Sequence, residues 1–140
     1  MNGGRYFLDT NIFVYTFDPL ADKKRRIATE LIRSAKRDGL AVISFQVIQE
    51  FCSVAIRKSE QTPTVGELRS YVLSVMAPLC EVHSSIELYD SCLDIREQTD
   101  YSFYDSLIVA AAAASGCQTL YTEDLDDGRS VAGVNIVNPF

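Results

Sequence analysis

The sequence has no tryptophan, a single histidine and four widely separated cysteines. No two cysteines form a Cys-x-x-Cys pair, so their spacing is poor for a zinc site. Free thiols of this kind usually pack as small hydrophobic side chains in a reducing compartment. His83 has no second histidine to pair with, so we predict a loop or capping role for it rather than catalysis. These absences argue against zinc-based and histidine-based chemistry.

Long apolar runs are also missing from the sequence. The longest, from Leu107 to Ala114, is far shorter than the roughly 20 residues that a membrane-spanning helix needs. The residues from Met1 to Arg5 lack the apolar segment of a secretory leader. We therefore expect a cytoplasmic protein that does not enter a membrane.

The bulk composition is that of one globular domain, which we place at residues 1–140. The chain is 47% hydrophobic and 23% charged, which is ordinary for such a domain. Its net charge of −6 argues against a general nucleic-acid coat protein. A basic cluster nevertheless falls within one predicted helix: Lys23, Lys24, Arg25, Arg26, Arg33, Lys36 and Arg37. We interpret this cluster as a solvated helix face, with guidance of a nucleic acid as the alternative.

The first candidate strand ends abruptly in polar residues. Tyr6 to Leu8 is a short apolar run of the kind that is buried on both faces of a sheet. Asp9, Thr10 and Asn11 follow at its carboxyl end, which is the edge where open α/β sheets bind ligands. The structural alternative is that one of these three residues caps the next helix.

Strands and helices alternate along the rest of the chain. We predict strands at 40–43, 79–82, 119–121 and 134–137, and loops at 60–63 and 125–129. Residues 12–15 fit a helix or a strand equally well. Helices are predicted at 22–37, 64–76, 84–98 and 102–114, and a further helix begins at residue 44. The candidate N-terminal caps of these helices are Asp22, Ser44, Thr64, Ser84 and Ser102. This alternation predicts a parallel α/β sandwich.

Three more acids accompany these elements. Glu50 lies at the margin of the apolar face of the helix after the second strand, where an ordinary boundary residue is the alternative. Asp105 opens the alanine-rich helix, at a spacing from Ser102 that also fits a capping box. Asp124 follows the strand at 119–121. Right-handed α/β winding brings strand ends and helix starts to one edge of the sheet, so we expect these acids to lie near Asp9.

Several carboxylates at one edge repel one another, so the pocket must hold either protons or cations. Ligands that are all oxygen, without cysteine or histidine, suit Mg²⁺ or Mn²⁺ rather than zinc. Mg²⁺ held by carboxylates typically serves phosphoryl or phosphodiester chemistry. The acids therefore predict a metal-dependent enzyme that acts on phosphate esters.

The order of these motifs resembles that of a known family. Leu8-Asp9-Thr10-Asn11, then Glu50, then the run from Tyr104 to Ala112, and then the run from Leu120 to Leu125 are similar to the PIN-domain nucleases. The order, spacing and chain length, together with the run from Gly133 to Phe140, look most like VapC-type toxins of toxin–antitoxin pairs. The resemblance covers essentially the whole chain.

The resemblance implies a three-layer α/β/α sandwich with a mainly parallel sheet. It also implies a Mg²⁺- or Mn²⁺-dependent endoribonuclease, frequent homodimers and inhibition by an antitoxin protein. The family's acidic, metal-binding positions fall on Asp9, Glu50, Asp105 and Asp124. Its supporting polar positions fall on Thr10, Asn11 and Thr122, and Tyr104 stands where an aromatic residue is common. Glu123, Asp126 and Asp127 are possible additional acids.

The sequence argues against three other classes of protein. A phospho-acceptor receiver domain needs a lysine late in the chain, and there is none after Lys58. An aspartyl-nucleophile phosphatase needs a second acid two residues after Asp9, where Asn11 stands. A binding-only PIN-like domain would ordinarily have lost an acid. No motif in the sequence is of a kind that contacts base edges. The sequence therefore does not identify the RNA substrate, and it does not distinguish RNA from DNA as the substrate.

Overall fold

The computed structural model describes residues 4–57 and 63–140. Residues 60–62 of the predicted loop at 60–63 lie outside this range. The strands are β1 Tyr6–Leu8, β2 Ala41–Ser44, β3 Cys80–Val82, β4 Thr119–Tyr121, β5 Ser130–Val131 and β6 Val134–Val137. The helices are α1 Thr10–Tyr15, α2 Asp22–Asp38, α3 Phe45–Arg57, α4 Val65–Tyr71, α5 Ile86–Thr99 and α6 Phe103–Ala114.

The six strands form one sheet in the order β3-β2-β1-β4-β6-β5. All neighbouring strands are parallel except β5, which is antiparallel to β6. Phe7 of β1 is in register with Val42 of β2 and Leu120 of β4, so β1 lies inside the sheet. Helices flank the sheet, with α5 packed on α6 and with α1 packed on α2 and α3. The predicted α/β class and mainly parallel sheet are confirmed.

The core forms where the sequence is most continuously apolar. Phe7 and Leu8 of β1 are fully buried. Helix α6, apolar on all sides, is buried from Ser106 to Ala112 and contacts β2, β4 and β6. Its small alanine side chains let the neighbouring strands approach closely. In the part of the chain that the structure describes, no helix is long and apolar enough to cross a bilayer.

Two of the predicted helix caps are present. Thr64 forms a capping box with Glu67 at the start of α4. The Ser102 hydroxyl accepts a hydrogen bond from the backbone N–H of Asp105 at 3.1 Å and so caps α6. As predicted, Gly39 ends α2, in the left-handed conformation (φ 69°) that glycine adopts without strain.

Three other cap predictions are wrong. Asp22 is the first residue of α2 and not its cap, and the preceding Ala21 caps nothing with its side chain. Ser44 is the last residue of β2, and its buried hydroxyl has no hydrogen-bond partner in the described residues. Ser85 rather than Ser84 caps α5. For α5 the two adjacent serines fit the local spacing about equally well, so the sequence pattern alone does not choose between them.

The buried side of α5 does not follow from its apolar residues alone. Ile86 and Leu93 are exposed, whereas Leu88 and Ile95 are buried together with Cys92. Apolar residues occur on more than one side of this helix, so its periodicity did not select the buried side.

The remaining differences concern irregular segments. The undecided stretch at 12–15 is helical and belongs to α1. The helix predicted at 64–76 keeps α geometry only to Tyr71, after which a π-helical turn, Val72–Met76, leads into a 3₁₀ turn that contains Pro78. The two-residue strand β5 was not predicted, because a segment this short carries no periodic signal.

Candidate active site

A pocket of about 280 Å³ opens beside the carboxyl end of β1. Its walls come from the start of α1, one face of α3, the first turns of α6 and the loop after β4. The residues that line it are Asp9, Thr10, Asn11, Glu50, Ser53, Val54, Arg57, Asp105, Ile108 and Asp124. The structure therefore brings together the four acids that the sequence placed at one edge of the sheet.

Asp9 is both a helix cap and a pocket residue. Its Oδ1 accepts a hydrogen bond of 2.7 Å from the backbone N–H of Thr10, and its Oδ2 accepts one of 2.7 Å from the Thr122 hydroxyl. Burial raises the pKa of Asp9 to about 7, with a smaller contribution from the nearby charges of Asp124 and Glu50, and the two hydrogen bonds oppose this rise. Asp9 therefore caps α1 and also lines the pocket.

Two donors hold the carboxylate of Glu50. The Thr10 hydroxyl donates to Oε1 at 2.6 Å, and Nε2 of Gln46 donates to Oε2 at 3.3 Å. Gln46 is buried and also donates to the carbonyl oxygen of Tyr104 at 3.1 Å. Gln46 is not among the predicted site residues, although its position four residues before Glu50 on α3 is a usable signal. Gln46 therefore ties the helix of Glu50 to the helix of Asp105.

The other supporting polar residues contact the last acid. Asn11 donates from Nδ2 to Oδ2 of Asp124 at 2.9 Å. The backbone N–H of Asp124 donates to the Thr122 hydroxyl at 3.1 Å, and this fully buried hydroxyl donates in turn to Asp9. Burial raises the pKa of Asp124, as do the charges of Glu123 and Asp105, while the hydrogen bond from Asn11 lowers it. Asn11 and Thr122 thus fix the position of Asp124 relative to Asp9.

The N-terminus of α6 presents Asp105 to the pocket. Its backbone N–H is used by the Ser102 cap, so the half-buried carboxylate lines the pocket without serving as the cap itself. Tyr104, the preceding residue, does not line the pocket. Its ring is exposed and packs edge-on against Phe103, with ring centroids 5.3 Å apart.

Glu123 does not line the pocket, although it is the neighbour of Asp124 in sequence. Its carboxylate accepts hydrogen bonds from the Tyr15 hydroxyl and from Nζ of Lys24, the latter at 2.8 Å. Burial acts to raise the pKa of Glu123, but these two donors outweigh it and the pKa lies below its ordinary value. The ring of Phe140 packs edge-on against Tyr15, and its centroid lies 5.8 Å from Nζ of Lys24.

The two remaining acids stabilise the loop after β4. Asp126 accepts a hydrogen bond from Arg129 at 3.1 Å. Oδ1 of Asp127 accepts one from the backbone N–H of Asn138 at 2.9 Å. Neither residue lines the pocket. Of the acids between 123 and 127, the structure places only Asp124 beside Asp9.

The basic cluster on α2 lies apart from the pocket, because no α2 residue lines it. Several of its charges have acidic partners: Lys24 pairs with Glu123, Arg25 with Asp22 at 2.7 Å, and Arg33 with Glu30 at 2.9 Å. The basic residue that does line the pocket is Arg57, at the end of α3. Arg57 is not among the predicted site residues, although it follows Glu50 by seven residues and so shares its helix face.

The donor atoms of the pocket fit a hard divalent cation. Four carboxylates, the Asn11 amide and the Thr10 hydroxyl supply only oxygen ligands, which suits Mg²⁺ or Mn²⁺. Burial is the main cause of the raised pKa values of Asp9 and Asp124 and the neighbouring acids add to it, so a bound cation would favour the ionised form of both groups. Within residues 4–57 and 63–140, no three acidic, histidine or cysteine side chains form a ready-made metal cage. The carboxylates line a shared pocket rather than surround one point.

The chain matches a known protein family. The family model described as PIN domain matches residues 6–133. No curated protein sequence matches the chain significantly.

Several solved structures share the fold. A toxin–antitoxin complex from Klebsiella pneumoniae aligns with a TM-score of 0.66 and 19% identity, covering 96% of this chain and 98% of the other. VapC20 from Mycobacterium tuberculosis, described as a sarcin-ricin loop cleaving toxin, aligns with a TM-score of 0.65 and 20% identity over 86% and 91%. VapBC2 from Rickettsia felis, bound to a promoter DNA fragment, aligns with a TM-score of 0.61 and 19% identity over 94% and 96%. At these identities the likeness establishes the fold.

Proposed function

The chain belongs to the PIN-domain family, and from this we propose that it is a metal-dependent endoribonuclease that acts as the toxin of a toxin–antitoxin pair. The observation that carries the proposal is the joint lining of one pocket by Asp9, Glu50, Asp105 and Asp124. The all-oxygen donor set supports Mg²⁺ or Mn²⁺ as the cofactor.

The four carboxylates would hold the cation, and the other polar residues keep them in place. When bound, Mg²⁺ or Mn²⁺ orients the phosphate, activates a water and stabilises the leaving oxygen. Asp9 must give up its proton before it can act as a ligand, because burial favours its neutral form near neutral pH. Thr122 and the backbone N–H of Thr10 favour the ionised form by donating to its two oxygens.

The toxin role is supported by the fold shared with several toxin–antitoxin proteins. One of them is described as a sarcin-ricin loop cleaving toxin, and for this chain we propose RNA as the substrate class. An antitoxin that places an arginine or lysine among the four carboxylates would replace the cation electrostatically. We further propose that the toxin forms a homodimer.

Cleavage assays test the enzymatic part of the proposal. Purified protein is incubated with RNA and DNA oligonucleotides in Mg²⁺, in Mn²⁺ or in chelator. We expect RNA cleavage with either metal, none in chelator, and none with Asp105→Asn, whose side chain does not serve as the α6 cap. The matched control is Asp127→Asn, outside the pocket, which should keep full activity. Full cleavage in chelator or by Asp105→Asn would refute the assignment.

Expression of the chain with its neighbouring gene tests the partner. We expect the second protein to co-purify, to suppress cleavage and to restore growth of cells that overexpress the chain. Size-exclusion chromatography with light scattering reports the dimer. Normal growth on overexpression, together with no retained partner, would contradict the toxin role while leaving the nuclease assay unaffected.

A further inference from the structure

The wall that α3 contributes to the pocket extends well beyond Glu50. Glu50, Ser53, Val54 and Arg57 all line the pocket, and their spacing of three, four and seven residues places them on one helix face. Seven residues of α-helix span about 10 Å. The acids thus lie at one end of this face and Arg57 lies at the other.

Among the charged residues that line the pocket, Arg57 is basic and the others are all acids. Its Nε donates to the carbonyl oxygen of Ser53 at 3.2 Å, so the stem of the side chain is fixed against its own helix. This bond leaves the two terminal nitrogens of the guanidinium to carry its remaining donors. Their planar fork matches the geometry of a phosphate and binds it through two hydrogen bonds.

A polyanionic substrate meets an unfavourable field at this pocket. A cation between the carboxylates compensates only the phosphate that is attacked, and the adjoining phosphates still face acidic walls. The α2 cluster cannot compensate them inside the pocket, because none of its residues lines it. Arg57 is the positive charge that the structure places along the same groove.

We propose that Arg57 binds an RNA phosphate adjacent to the one that is cleaved, which makes this face of α3 a substrate-binding groove. The inference rests on the proposed nuclease function. A different role would be purely structural, in which Arg57 only offsets the repulsion among the four acids. The two roles predict different effects on RNA binding. If Arg57 binds a phosphate, its contribution to the affinity for RNA depends on the salt concentration and on the charge of that one phosphate.

The test compares Arg57→Gln with Arg57→Lys and with Arg33→Gln, which removes the same charge from exposed α2. We expect Arg57→Gln to raise KM for an RNA oligonucleotide about 10-fold or more with kcat changed less than about threefold. The slope of log affinity against log salt should become shallower by about 1. Arg57→Lys should recover part of the affinity, and Arg33→Gln should match the wild type.

Neutral methylphosphonate linkages locate the contact. Placed singly on either side of the cleaved bond, one linkage should weaken binding to the wild type and leave binding to Arg57→Gln unchanged. Equal penalties in the two proteins, an unchanged salt slope, or a slope reduced equally by Arg33→Gln would overturn the inference. Wild-type cleavage reports separately on the nuclease function, and if it fails, the salt slopes and linkage penalties for RNA binding still decide the role of Arg57.

Discussion

The hydroxyl of Thr10 donates a 2.6 Å hydrogen bond to Oε1 of Glu50, forty positions further along the chain. The backbone N–H of the same residue donates to Asp9. Thr10 therefore connects the acid that follows the first strand with the acid on the helix after the second. Thr10 is buried and Glu50 is partly exposed, so the bond between them lies in the wall of the pocket.

Replacing Thr10 tests whether this connection matters for catalysis. Thr10→Val keeps the shape and the backbone N–H but removes the donor to Glu50. We expect kcat to fall by about 10- to 100-fold, the usual effect of losing a group that orients a metal ligand. Thr10→Ser retains the hydroxyl and should remain within a few-fold of the wild type. Equal activity of Thr10→Val and Thr10→Ser would show that Glu50 needs no such support.

Gln46 donates the second hydrogen bond to the carboxylate of Glu50. Gln46→Leu leaves the Tyr104 carbonyl and one Glu50 oxygen without their donor, so we expect a loss of about 1–3 kcal/mol in the free energy of unfolding and a lower kcat. Gln49→Leu, an exposed position on the same helix, is the matched control and should change neither quantity. Urea denaturation and cleavage rates of the two variants give the comparison. Indistinguishable variants would count against a positioning role.

The ion pair between Lys24 and Glu123 holds the residue next to Asp124. The pKa of Glu123 lies below its ordinary value. The ion pair therefore stabilises the fold at pH values above the unfolded-state pKa of the carboxyl group. This stabilisation is lost as the pH falls through the folded-state pKa. Lys24→Met should therefore lower the melting temperature at pH 7, and the difference from the wild type should shrink toward pH 3. Lys23→Met removes the same charge from an exposed neighbour and should have little effect. A Lys24→Met deficit that is constant with pH would contradict this account.

The elements that the sequence predicted best are those with strong local signals. The apolar runs of β4 and β6 were predicted with the observed bounds, because each is closed by polar or turn residues on both sides. Asp9 was placed at the end of a buried strand for the same reason. For α5 the local pattern failed, since Leu93 is as apolar as Leu88 but lies on the exposed side. Only packing against α6 distinguishes them.

The contacts that complete the site are long-range and leave no local signal. The partner that Gln46 finds in the Tyr104 carbonyl lies 58 residues away in sequence. Glu123 and Asp124 are adjacent acids after one strand, yet one faces Lys24 and the other faces Asn11. Their separation depends on where α2 and α1 are placed. The sequence therefore indicated the set of acids, and the fold distinguished those in the pocket from those in the loop.

Asp9 links the site to the stability of the fold. Its folded-state pKa of about 7 lies above the value of about 3.9 for an unfolded chain, so folding takes up a proton between these values. Without metal, the stabilisation from the protonated form is complete below about pH 4 and is lost as pH rises through about 7. Asp9→Asn is neutral at every pH, and its amide can still accept from the Thr10 N–H through Oδ1. The variant should therefore escape this loss.

We predict that Asp9→Asn, in chelator at pH 8, is more stable than the wild type by an amount on the order of 4 kcal/mol, and that the difference largely disappears at pH 4. Metal that binds only the folded state stabilises in proportion to the logarithm of its concentration over Kd. Mn²⁺ should therefore raise the melting temperature of the wild type more than that of Asp9→Asn. Thermal melts at both pH values and across a Mn²⁺ titration measure this, with Asp127→Asn as a carboxylate control outside the pocket. If Asp9→Asn melts below the wild type at both pH values and both proteins respond equally to Mn²⁺, then Asp9 serves only as the cap of α1.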